Sequence, residues 1–107
     1  MIDIQVRWKG EPFSLTARGH ANAARNEDGR DLVCCAISTL MCTMANSCAQ
    51  LKGPATVYHT QSGLAELTIT NILSAPDEVR PRLQMLLDGL QVLSVQYPQN
   101  IRLTIED

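Results

Sequence analysis

A basic surplus is missing from this sequence. Nine Lys and Arg stand against eleven Asp and Glu, a formal net charge of -2, so there is no positive field to hold a phosphate backbone and no direct nucleic-acid partner is expected. Apolar runs near the ~20 residues needed to span a bilayer are also missing, and Met1 leads straight into an alternating segment rather than a basic and apolar leader. The expectation is a cytoplasmic chain, complete as it stands, with no membrane partner. No C-x-x-C pair occurs, and only His20 and His59 could supply imidazoles, so a zinc site is not expected. Four cysteines, Cys34, Cys35, Cys42 and Cys48, fall within fifteen positions, but with no signal sequence ahead of them reduced thiols are the better expectation than a disulfide framework. If residues 31 to 52 form one helix, most pairs of these sulfurs point in different directions. Neither an internal repeat nor a linker is visible.

What is present fits one domain. The chain has 107 residues, 45% hydrophobic and 19% charged, enough to bury a core though not a thick one. Ile2, Ile4, Val6 and Trp8 alternate with Asp3, Gln5 and Arg7, the period-two pattern of a half-buried strand. Lys9 to Pro12 supply a turn, and Phe13, Leu15 and Ala17 alternate with Ser14, Thr16 and Arg18, so the pair reads as an antiparallel hairpin ending at Gly19-His20. Residues 22 to 30 are polar, with Asn, Asp and Gly and no apolar period, and are expected to form an exposed, mobile loop.

From Asp31 the period becomes helical. Val33, Ile37, Leu40, Met44, Cys48 and Leu51 form one stripe down a helix of about six turns, which Gly53-Pro54 ends. Val57, Tyr58 and His59 open a third strand, Gln61-Ser62-Gly63 a turn, and Leu64, Glu66, Leu67 and Ile69 a fourth strand. Ser74-Ala75-Pro76-Asp77 resembles a helix start, and Val79, Leu83, Leu86, Leu87, Leu90 and Leu93 give that helix a buried face. Pro81 predicts a kink or a restart. Ile101, Leu103 and Ile105 close the chain as a strand. The order ββαββαβ predicts an α+β fold, about five mostly antiparallel strands with two helices packed on the sheet.

The chemistry gathers at the first helix. A free thiol with pKa ≈ 8.5 is mostly protonated at neutral pH, so position decides reactivity. With Asp31 as N-cap, Cys34 is the third helical residue, where the helix dipole favours an anion by up to ~1 kcal/mol. His20 is the candidate base, because the loop after it must return the chain to the helix start. Cys35 lies about 100° round the helix from Cys34 and shares a face with Thr39, Cys42 and Asn46. Both sulfurs cannot point at His20, and periodicity alone leaves open which is the nucleophile. Burial as small hydrophobes is the default role for Cys35, Cys42 and Cys48, His59 reads as a sheet residue, and Ser38 could simply bond back to the preceding turn.

Gly19-His20-Ala21, then Gly29-Arg30-Asp31-Leu32-Val33-Cys34 and Ala36-Ile37-Ser38, resemble the signature of the ribosomal-processing cysteine protease family, Prp. Likeness extends over nearly the whole chain, although only this segment is specific. The family consists of small α+β cysteine endopeptidases, generally homodimeric, that remove a short N-terminal extension from large-subunit ribosomal protein 27, a step that ribosome assembly needs. The resemblance implies Cys34 as nucleophile and His20 as general base and acid, with Asp31 and Ser38 supporting. It also implies an apolar pocket beside the thiol, because the family cuts after an aromatic-containing segment. No metal or organic cofactor is implied. A mobile loop including Ala21, Asn22, Gly29 and Arg30 is expected to cover the peptide. The chain departs from the family pattern in a loop about two residues longer, around Asn26-Glu27-Asp28, and in Cys35, where a small residue such as Ala is usual.

Two other readings keep the fold and change the function. A dimeric peptide- or protein-binding adaptor would need only a displaced His20. Redox sensing through Cys34 and Cys35 is disfavoured, since adjacent helical cysteines do not readily form a disulfide.

Overall fold

The computed structural model describes residues 1–20 and 32–106. The alternating segments form β1 (Ile2–Arg7) and β2 (Phe13–Gly19), and helix α1 (Leu32–Ala49) leads into β3 (Ala55–Gln61) and β4 (Leu64–Thr70). Helix α2 (Pro76–Gln96) follows a 3-10 turn at Ile72–Ser74, and β5 (Ile101–Glu106) ends the chain. The strands form one sheet in the order β3-β4-β2-β1-β5. Three pairings are antiparallel, and β1 with β5 is parallel. The predicted α+β order is therefore the observed one.

Both helices lie on one face of the sheet, α1 over β3 and β4 and α2 beside β5. The period-two pattern explains why. Ile2, Ile4 and Val6 on β1, Phe13, Leu15 and Ala17 on β2, and Leu67 and Ile69 on β4 are all buried, while their alternating partners are not. At the hairpin end, the rings of Trp8 and Phe13 meet edge to face with centroids 5.7 Å apart, an arrangement that suits the ring quadrupoles.

Three details differ from the sequence reading. First, α1 ends at Ala49, and Leu51 lies beyond it in a tight turn in which its N–H bonds the Cys48 carbonyl at 3.1 Å. The buried stripe is Val33, Ile37, Met41, Met44, Ala45 and Cys48, so Met41 and Ala45 take the central places expected of Leu40 and Leu51, which are only half-buried. Second, α2 runs through Pro81 without a restart. The N–H that proline lacks would have met the carbonyl of Asp77 in the first turn, where both residues are exposed and the carbonyl is open to solvent, so the lost bond costs little. Third, the 18 residues of α1 have a mean hydropathy of 1.6, long and apolar enough by length and composition to cross a membrane, against the expectation that no run comes near that length. Cys, Met and Ala between the stripe residues raise the average, yet the helix remains two-sided: one face is buried on the sheet, and Ser38, Thr39, Cys42, Thr43 and Asn46 are exposed.

Candidate active site

The fold brings the end of β2, the start of α1 and the β3–β4 hairpin together around a cavity of about 180 Å³. Helix α1 supplies Cys34, Ile37 and Ser38, β2 supplies Ala17 and Gly19 with His20 just beyond its end, and the hairpin supplies Thr60, Gln61, Gly63, Leu64 and Ala65, with Ile2 completing the lining. The room exists because of register. Ala17 pairs with Ala65, and Ala65 pairs with Thr60, so three small side chains lie in one row across the sheet at the place where α1 passes over it. One row further in, the paired residues are Leu15 and Leu67, and there the space is filled.

His20 is held by its backbone neighbours. The Gly19 N–H donates to the Gly63 carbonyl at 2.8 Å, and the Met1 ammonium donates to the His20 carbonyl at 2.7 Å. Gly63 has φ 75, a left-handed conformation that suits glycine, and a Cβ placed there would lie 3.2 Å from His20 Nε2. The imidazole thus rests over a residue with no side chain. Cys34 is the third residue of α1 and half-buried, so the anion-favouring field of the helix N-terminus acts on a thiol that opens into the cavity. Ser38, one turn on, lines the same cavity.

The other three sulfurs are elsewhere. Cys35 is exposed, on the face shared with Thr39, whose hydroxyl donates back to the Cys35 carbonyl at 2.9 Å. Cys42 is exposed as well, and its thiol donates to the Tyr58 hydroxyl at 3.4 Å. Burial of the ring, and then the Cys42 sulfur beside it, push the Tyr58 phenol up to about 12. Only Cys48 follows the burial default: fully enclosed, its thiol is pushed up by desolvation against the lowering effect of Arg82. Burial is thus corrected for Cys35 and Cys42, because the face they share turns away from the sheet core. His59 is in β3, as expected, and exposed.

Asp31, Ala21, Asn22, Gly29 and Arg30, expected as cap and covering loop, lie outside the described residues. Sequence reasoning missed the contributions of Thr60, Gln61, Gly63 and the Ala17–Ala65 row. The turn at Gly63 was visible, but not what it faces. Among the described residues no three His, Cys, Asp or Glu side chains come together to hold a metal ion. Chemically, the arrangement offers a thiol at a helix start, an imidazole in the same cavity and an apolar floor.

Comparison with known proteins bears on this geometry. A family model described as cysteine protease Prp matches residues 1–102. The ribosomal processing cysteine protease Prp of Staphylococcus aureus, from two strains, is 28% identical over 102 residues, which cover 95% of this chain and 94% of that protein. Among solved structures, S. aureus Prp with a covalently linked product peptide superposes with a TM-score of 0.80 at 24% identity, covering 99% of this chain and 100% of that one. The same protease with a substrate peptide gives 0.73 at 24% identity, again over 99% and 100%. A Streptococcus mutans protein gives 0.74 at 23% identity, over 98% of this chain and 93% of that one. These structures share the fold.

Proposed function

The chain belongs to the cysteine protease Prp family, and on that premise we propose that it is a cytoplasmic, homodimeric endopeptidase that removes a short N-terminal extension from large-subunit ribosomal protein 27. Cys34 is the nucleophile and His20 its base. What supports this reading is that the two side chains, from the first turn of α1 and the end of β2, line one cavity, and that the curated relatives are named as ribosomal processing proteases.

The substrate lies extended across the start of α1. His20 takes the Cys34 proton, and the sulfur attacks the scissile carbonyl. Backbone N–H groups at the helix start hold the developing oxyanion. The tetrahedral adduct collapses to a thioester as His20 returns the proton to the departing amine, and water, with His20 again as base, releases the acid and the thiol. Ile37, Leu64, Ala17 and Ala65 form the apolar side of the cavity, suited to an aromatic side chain next to the cleaved bond. Ser38, one turn on from Cys34, lines the same cavity and supports the site.

The test is incubation of Cys34→Ala, Cys34→Ser and His20→Ala proteins with the extended ribosomal protein. Cys34→Ala is expected to lower the rate by at least about a thousandfold, and His20→Ala by roughly 10²- to 10⁴-fold. Cleavage that persists in both Cys34 variants would overturn the assignment, as would wild-type turnover in His20→Ala.

A further inference from the structure

The sheet has two edges, and they are treated differently. At one, β5 carries Arg102 and Glu106, and Glu106 pairs with Arg7 at 3.0 Å. At the other, β3 reads ATVYHTQ, with no Lys, Arg, Asp, Glu or Pro in seven residues. Charges and prolines are the usual devices that keep a strand edge from recruiting another strand. The edge without them is the one whose last residues, Thr60 and Gln61, line the cavity with Cys34 and His20.

The hydrogen-bond register identifies which backbone groups that edge presents. Gly19 N–H bonds the Gly63 carbonyl, so along β4 the groups of Ala65, Leu67 and Ile69 face β2, and those of Leu64, Glu66, Thr68 and Thr70 face β3. Their partners on β3 are Gln61, His59, Val57 and Ala55. By alternation, the N–H and C=O of Thr56, Tyr58 and Thr60 point outward, where no other strand of the described residues pairs with them.

We propose that the substrate peptide is bound as an added strand on β3, its backbone pairing with the outward groups of Thr60, Tyr58 and Thr56 on one flank of the scissile bond. Such pairing supplies affinity from the main chain, independent of substrate side chains. It also fixes the peptide in the extended form that presents its carbonyl to a nucleophile, and it carries the strand from the edge directly to the cavity at Thr60. The inference rests on the protease reading and deepens it by naming the surface that holds the substrate.

The experiment is a backbone scan. Peptides spanning the extension and the first mature residues of ribosomal protein 27 are N-methylated one position at a time. Their binding to Cys34→Ala protein and their cleavage by wild type are then measured. Added-strand binding predicts a period-two pattern on one flank, with affinity lowered roughly three- to tenfold at alternate positions and little at those between. Thr60→Pro removes one outward N–H without touching a β4 bond. Its loss is expected to shrink when combined with the methyl group opposite, as for two changes to one contact. A scan with no alternation while the unmodified peptide is cut would overturn the proposal. So would dissociation of a wild-type dimer by Thr60→Pro, which would assign the edge to a second copy of the chain. Alternating affinity without any cleavage would instead leave the edge standing and sink the protease reading.

Discussion

Cys34 and Cys48 occupy the first and last turns of the same helix, carry the same side chain, and meet opposite surroundings. Cys34 is half-buried at the helix start and opens into the cavity shared with His20. Cys48 is fully enclosed, its Sγ 3.8 Å from the Met44 sulfur, and burial holds its thiol in the protonated form. On the proposed protease reading, reactivity follows from where a sulfur lies along α1. The helix start offers a favourable field and an imidazole in the same cavity, and at the helix end desolvation outweighs the effect of Arg82.

The sharpest way to break this comparison is to exchange the expected losses. Cys34→Ser is expected to remove most activity and leave the melting temperature near wild type, because the site is already in contact with water. Cys48→Ser places a hydroxyl where the neighbours are apolar and is expected to cost about 1–3 kcal/mol of stability, with kcat of the folded fraction unchanged. Thermal melts and turnover on the same preparations read both. A stability loss at Cys34 as large as at Cys48 would remove the distinction. Alkylation with iodoacetamide sharpens it further: label is expected at position 34 well before position 48, and Cys48 should react only when the protein unfolds.

A smaller effect is expected on His20, the proposed base. Gly63 and Gly10 share a φ of 75, but a Cβ at Gly63 would lie 3.2 Å from His20 Nε2, whereas nothing lies within 4 Å of one at Gly10. Alanine at either site carries the same left-handed strain, about 1–2 kcal/mol. Only Gly63→Ala should displace the imidazole, lowering kcat roughly tenfold or more and altering its pH profile, since a small misplacement of a catalytic group is costly. Equal kinetics in the two variants would show that the open space above Gly63 has no part in placing His20.

Much of this was readable along the chain, and the unread remainder has a common cause. Strands β1, β2 and β5 announced themselves by alternation, because one face is covered and the other is open. Cys34 and His20 stood out as types, a thiol at a helix start and an imidazole at a strand end. The alanine floor was not readable, because Ala17 and Ala65 become neighbours only through the β2–β4 register. Nor was the exposure of Cys42, whose partner Tyr58 comes from a strand beyond the helix. Val33, Ile37, Met44 and Cys48 in the stripe of α1 were correct, but Met41 in place of Leu40 required knowing how the helix is rotated on the sheet. Local periodicity shows that a face exists, whereas its centre is set by what it packs against.

The Cys42–Tyr58 pair extends the comparison to a third sulfur, exposed and yet engaged, and gives the smallest predicted effect. The Tyr58 phenol is pushed up to about 12 in the fold, above the ordinary tyrosine value of about 10, so the native state holds a proton that the unfolded chain releases first. By linkage, the stabilisation from the neutral phenol is complete below pH 10 and declines as the pH rises from about 10 to 12. Tyr58→Phe, which has no proton to lose, should therefore flatten the alkaline fall in melting temperature. Because burial of the ring is the larger cause and Cys42 the lesser, Cys42→Ala should flatten it only in part. If the two variants flattened it equally, the sulfur rather than burial would be the dominant influence on the phenol, and α1 would be coupled to β3 through that one contact.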